Sequence, residues 1–106
     1  MSDQKPLKMY ILVRDDIPLG MAMTAVAHAA VGTYLSFEER EEMQRWRRFS
    51  FRKVICIVTA DEFERAKSFP DGHVFTESAL DGKEVAIGFC PREKWPHFFH
   101  TLRLFQ

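Results

Sequence analysis

The chain has 106 residues, room for one domain of ordinary size, and 46% of them are hydrophobic, enough for a real core. Lys+Arg and Asp+Glu number 15 each, so the formal net charge is zero, which excludes a protein that grips nucleic acid with its whole surface and leaves only a local basic patch. No apolar run is long enough to span a bilayer and no secretory signal opens the chain, so the expected location is cytoplasmic.

Residues 1–6 are polar. Met9 to Val13 is a nearly continuous apolar run closed by Arg14, Asp15 and Asp16, and it reads as a buried central strand. Pro18 and Gly20 punctuate the loop that follows. Met21 to Thr33 reads as an almost wholly apolar helix, in which Ala22, Ala25, Ala29 and Ala30 permit close approach to a sheet. Ser36 with Glu39 fits a capping box for a second helix. That helix has glutamates at its amino end and Arg45, Arg47 and Arg48 at its carboxyl end, as the helix dipole favours.

Lys53 to Thr59 is the clearest strand, with β-branched residues around Cys56. Asp61 is placed to cap a short helix through Lys67, and Pro70-Asp71-Gly72 is a turn. His73–Thr76 and Glu84–Phe89 read as the two strands of an antiparallel hairpin, with Asp81-Gly82 in its loop. Trp95 to Leu104 reads as a closing helix with Pro96 in its first turn. The order β-α-α-β-α-β-β-α predicts an α/β domain with a mostly parallel sheet and one hairpin. Cys56 and Cys90 each lie in an apolar run without metal-ligand spacing, and read as buried free thiols.

Three groups of residues could carry chemistry. His28 lies mid-helix among alanines, where it serves either as a general base or positioner or as a packed, hydrogen-bonded side chain. From Arg45 to Lys53 the sequence RWRRFSFRK interleaves Arg45, Arg47, Arg48, Arg52 and Lys53 with Trp46, Phe49 and Phe51. Such a stretch can hold phosphates and stack on bases, or it can be a helix end whose cations answer the dipole while its aromatics enter the core. Asp15, Asp16, Glu77 and Asp81 follow strands, where they either orient a water or cation or are solvated turn residues. His97 and His100 stand at i and i+3 without a third ligand, so no metal is expected; no phosphate loop or nucleophile elbow is present either.

From Lys8 to Phe105 the chain resembles the type II peptidyl-tRNA hydrolase family. KMYILVRDD at Lys8–Asp16 is similar to the family's first strand and its Arg-x-Asp ending. Ala27 to Tyr34 is similar to its Ser-His-Ala-Ala-Leu-Gly-Ala-Tyr segment, the most specific match. Trp46 and Lys53–Val58 resemble the second strand and the tryptophan before it; Thr76–Ala79 stands where the family has Thr-Asp-Ala-Gly. Gly82–Pro91 and Leu102-Arg103-Leu104 resemble the last strand and the closing helix.

The resemblance implies a three-layer α/β/α domain over residues 1–106 with a four-stranded mixed sheet, often dimeric. It implies hydrolysis of the ester between a peptide and the tRNA 3′ ribose, with tRNA as partner and neither metal nor cofactor needed. His28 and Glu77 would then be catalytic, and Arg14, Asp16, Lys83, Arg45, Arg47, Arg48 and Arg52 would bind substrate. Several family positions are altered: a lysine seven before the histidine is Met21, a glutamine three before it is Ala25, and a threonine entering the last strand is Glu84. The family's aspartate is Glu77, its Gly-Lys-Gly-Lys loop is shortened, and its Arg-Thr-Gln stretch is missing. The alternative is therefore an inactive member of the same fold that serves as a binding module or acts on another substrate.

Overall fold

A computed structural model describes residues 6–106. Strand β1 (Lys8–Arg14) is followed by helices α1 (Leu19–Ser36) and α2 (Glu41–Phe49), then strand β2 (Arg52–Val58). Helix α3 (Ala60–Ala66) leads to strands β3 (Gly72–Glu77) and β4 (Lys83–Phe89), with a 3-10 turn at Ser78–Leu80 between them. Helix α4 (His97–His100) and strand β5 (Arg103–Leu104) close the chain. No helix among the described residues is long and apolar enough to cross a membrane.

The strands form one mixed sheet in the order β3-β4-β1-β2-β5. Central β1 is apolar from Met9 to Val13 because both its faces are covered. Met9, Ile11 and Val13 pack with Ala22, Ala25 and Ala29 of α1 and Met43 and Trp46 of α2. Tyr10 and Leu12 pack on the opposite side with Phe63, Trp95 and Phe99. The period-two alternation of a strand thus divides the core into two apolar clusters.

The sheet has five strands, not the expected four. Residues Trp95–Leu104 do not form one helix: α4 is a single turn, and Arg103 and Leu104 pair antiparallel with Ile57 and Cys56 on the outer edge of β2. A helix continued past His100 would leave that edge open; instead buried Leu102 anchors the turn and Phe105 N donates to Ile55 O at 2.8 Å. Nor is the pairing mostly parallel. β1 and β2 are the parallel neighbours, while β4 lies antiparallel between β1 and β3, and β5 is antiparallel to β2. The helical crossovers do leave β1, β2 and β3 pointing the same way, so their carboxyl ends meet at one end of the sheet.

Two caps differ from expectation. Ser36 closes α1 rather than opening the next helix, and α2 starts after Arg40 without a side-chain cap. The capping box belongs instead to Thr59 and Glu62: Glu62 N donates to Thr59 Oγ1 at 3.1 Å and Thr59 N to Glu62 Oε1 at 2.9 Å. Thr59, two residues before Asp61, carries the Thr-x-x-Glu spacing that a capping box requires.

Candidate functional site

Arg14 is the last residue of β1, and Lys83 the first of β4, its antiparallel neighbour. The turn after β1 brings Asp16 back between them. Arg14 Nη2 lies 2.7 Å from Asp16 Oδ2 and Lys83 Nζ lies 3.0 Å from the same oxygen. The Lys83 hydrogen bond first, and then the Arg14 guanidinium, hold the Asp16 carboxyl below the usual aspartate range. The Arg14 side chain is only 14% exposed, and its guanidinium lies 5.5 Å from the centre of the Phe63 ring in α3. Its Nε–H is buried without an acceptor. Further ion pairs surround this cluster: Asp15 with Arg103 at 3.7 Å, Lys67 with Glu64 at 2.9 Å, and Lys67 with Glu84.

Glu77 ends β3 in register with Lys83. Its Oε2 accepts a hydrogen bond from Ala79 N at 3.0 Å, so this carboxylate caps the turn that carries the chain into β4. His28 is exposed at the middle of α1 and makes no hydrogen bond or ring contact among the described residues, so the packed, hydrogen-bonded alternative does not describe it. It stands at four-residue spacing from Gly32 and Ser36, one ridge of the helix. Along that ridge Ser36 Oγ lies 3.4 Å from His73 Nδ1, and a Cβ on Gly32 would come within 2.2 Å of the Phe75 ring. The ridge therefore follows β3, and His28 is one turn nearer its Glu77 end than Gly32 is. Among the described residues no hydrogen bond joins His28 to Glu77, Arg14 or Lys83.

The basic stretch lies elsewhere. Arg52 pairs in register with Lys8, at the amino end of β1, whereas Arg14 is at its carboxyl end. Seven residues at about 3.3 Å each separate the two clusters by roughly 20 Å. Trp46 is core, with its Nε1–H donated to Arg52 O at 2.7 Å. Phe49 is 82% exposed and Phe51 also faces outward. The Lys53 ammonium lies 3.5 Å from the Phe51 ring centre and donates to Phe51 O at 2.9 Å; although Lys53 as a whole is exposed, partial desolvation of this group lowers its pKa. Arg45 pairs with Glu93 at 3.4 Å and Arg47 donates to Gln44 Oε1 at 3.3 Å. Val31, Tyr34, Phe51 and Lys53 line an apolar groove of about 390 Å³ beside them.

The structure thus unites Arg14, Asp16 and Lys83, sets Glu77 beside Lys83, leaves His28 free on the neighbouring helix, and holds the cationic stretch apart. Phe63 beneath Arg14 and Arg103 beside Asp15 carry no local sequence signal, since both reach this end of the sheet through tertiary packing alone. Cys56 and Cys90 are buried free thiols, each pushed up to about 11 chiefly by burial. Among the described residues no group of three or more His, Cys, Asp or Glu is placed to hold a metal ion.

Comparison with protein-family models matches residues 7–69 to the one described as Peptidyl-tRNA hydrolase PTH2. The matched segment contains Arg14, Asp16, His28 and the whole basic stretch, and ends before Glu77 and Lys83. A search of curated proteins gives no match.

Proposed function

The chain belongs to the peptidyl-tRNA hydrolase PTH2 family, matched from residue 7 to residue 69, and we propose from that premise that it is a divergent hydrolase of the ester between a peptide and the tRNA 3′ ribose. The observation that carries this reading is the group of Arg14, Asp16 and Lys83 at the carboxyl end of the sheet, two of them inside the matched segment. In ester hydrolysis a water oxygen bonds to the carbonyl carbon, the ribose oxygen leaves with a proton, and negative charge passes through the carbonyl oxygen. His28 and Glu77 orient the water and take its proton. Arg14 and Lys83 supply positive charge near the developing oxyanion, and Asp16 fixes their positions. Arg45, Arg47, Arg48 and Arg52 hold tRNA phosphates at the far end of the sheet. The tRNA is a long polyanion, so a separation of roughly 20 Å suits one bound molecule.

The wider picture belongs to the same proposal. The two apolar clusters support a three-layer α/β/α arrangement. A homodimer is supported by α1, which lacks any charged residue and exposes Leu19, Met23, Val31 and Leu35 along its outer face. The location is cytoplasmic.

A second reading, a binding module that has lost the reaction, is favoured by what occupies the altered family positions. Ala25 lies on the buried face of α1, and Glu84 is paired with Lys67. Release of peptide from a peptidyl-tRNA analogue decides between the two. Turnover is expected for the wild type, with reductions of about 10²- to 10⁴-fold for His28→Ala and a smaller reduction for Glu77→Gln. No turnover at micromolar wild-type enzyme would overturn the hydrolase reading and leave a binding module or a protein acting on another substrate.

A further inference from the structure

A cavity of about 320 Å³ with charged residues in its lining lies at the amino end of β1, on the side of the sheet away from α1. Lys8, Tyr10, Glu93, Lys94, Trp95 and His100 line it. Its wall is firmly placed, because Lys8 and Arg92 exchange backbone hydrogen bonds of 3.1 and 3.2 Å that tie the segment before α4 to the first strand.

The charges around it do not cancel locally. Glu93, the acidic residue in the lining, is engaged by Arg45 at 3.4 Å. The side chains of Lys8, Lys94 and His100 have no partner among the described residues. The Arg92 guanidinium adds positive charge 5.4 Å from the centre of the Trp95 ring. A separate observation points the same way. Trp95 is only 8% exposed, and its Nε1–H is buried without an acceptor. Native proteins rarely leave a buried donor unpaired, and one that is unpaired calls for an explanation. Beside it the Tyr10 ring stands 4.6 Å from that of Trp95, and both residues line the cavity.

We propose that this cavity binds a small phosphate-bearing anion, with the Lys8 and Lys94 ammoniums neutralising it and the Tyr10 hydroxyl and Trp95 indole N–H donating to its oxygens. The choice of phosphate over a simple carboxylate rests on charge and donor number. A phosphate monoester carries about −1.5 to −2 at neutral pH and three strong acceptor oxygens, matching two ammoniums and several donors. A carboxylate would leave one ammonium uncompensated. The site is at the opposite end of β1 from Arg14 and Asp16, so it stands whether or not the chain hydrolyses peptidyl-tRNA.

The two tryptophans provide the test. Trp46 donates its indole N–H to Arg52 O, so its ¹⁵N–¹H signal is an internal control, assigned by its proximity to Phe51. Inorganic phosphate and a phenyl phosphate are titrated at constant ionic strength against sodium chloride and acetate. Saturable movement of the Trp95 indole signal at millimolar phosphate is expected, with Trp46 unmoved and affinity weakened roughly ten-fold in Lys94→Ala. An unmoved Trp95 signal, equal movement with chloride or acetate, or unchanged affinity in Lys94→Ala would each overturn the site.

Discussion

One oxygen atom, Asp16 Oδ2, holds two cations that come from separate strands, and this gives the candidate site its pH response. Lys83 and Arg14 favour the ionised carboxylate, so the folded-state pKa lies below the ordinary value of 3.8. The sign follows from linkage. The stabilisation is fully present above the unfolded pKa and disappears as the pH falls through the lower folded value. Asp16→Asn should therefore be less stable than wild type at pH 7, by about 0.2–1 kcal/mol for so exposed a carboxylate. The gap should close as the pH drops below 3.8. Urea unfolding at both pH values measures it, and a gap independent of pH would show that the carboxylate charge is not what holds the cluster.

At the scale of elements, the packing of α1 on β4 is set by an absent side chain. A Cβ on Gly88 would lie 1.8 Å from Thr33 Oγ1 and 3.3 Å from Ala29 O, so helix and strand meet with no room between them. Gly88→Ala should cost about 1–3 kcal/mol or more, because the helix must move outward. Gly20→Ala, in the first turn of the same helix, meets nothing within 4 Å. It should be neutral or gain up to about 1 kcal/mol from helix propensity. Opposite signs in chemical denaturation would confirm that close approach is what requires Gly88; a tolerated Gly88→Ala would show that the helix can shift at no cost. The alanines of α1 announce such packing in the sequence, and the short apolar, β-rich runs around Leu12, Cys56 and Ile87 announce their strands. Strand β5 does not announce itself, because two residues carry no periodicity and Arg103–Leu104 is a strand only by virtue of the open edge of β2. The caps are legible in type but not in place, since Ser-x-x-Glu and Thr-x-x-Glu look equally good until packing decides where each helix begins. In the site, Arg14 and Asp16 are two residues apart and can be read together. Lys83 joins them across 67 residues through strand pairing, and Phe63 comes beneath Arg14 only when α3 folds onto the sheet.

For the molecule as a whole, a net charge of zero conceals a segregation that governs how it would meet a polyanion. Around Arg14 the cations are answered by Asp15, Asp16, Glu64 and Glu84. At the other end the guanidinium groups of the exposed Arg48 and Arg52 have no partner among the described residues, beside the exposed Phe49. Under the proposed function, long-range attraction for tRNA should therefore come from the basic stretch, and the charges around Arg14 should act at short range. Removing one cation that neutralises a phosphate flattens the dependence of log K on log salt by about 0.7–0.9. The double variant Arg48→Ala/Arg52→Ala should thus reduce the slope by up to about 2, while Lys67→Ala, whose charge is already met by two glutamates, should leave it nearly unchanged. Anisotropy of labelled tRNA between about 50 and 200 mM salt reads both slopes. If the double variant keeps the wild-type slope, tRNA does not follow this stretch, and the cations of RWRRFSFRK serve the carboxyl end of α2 and the cover of its aromatic groove instead.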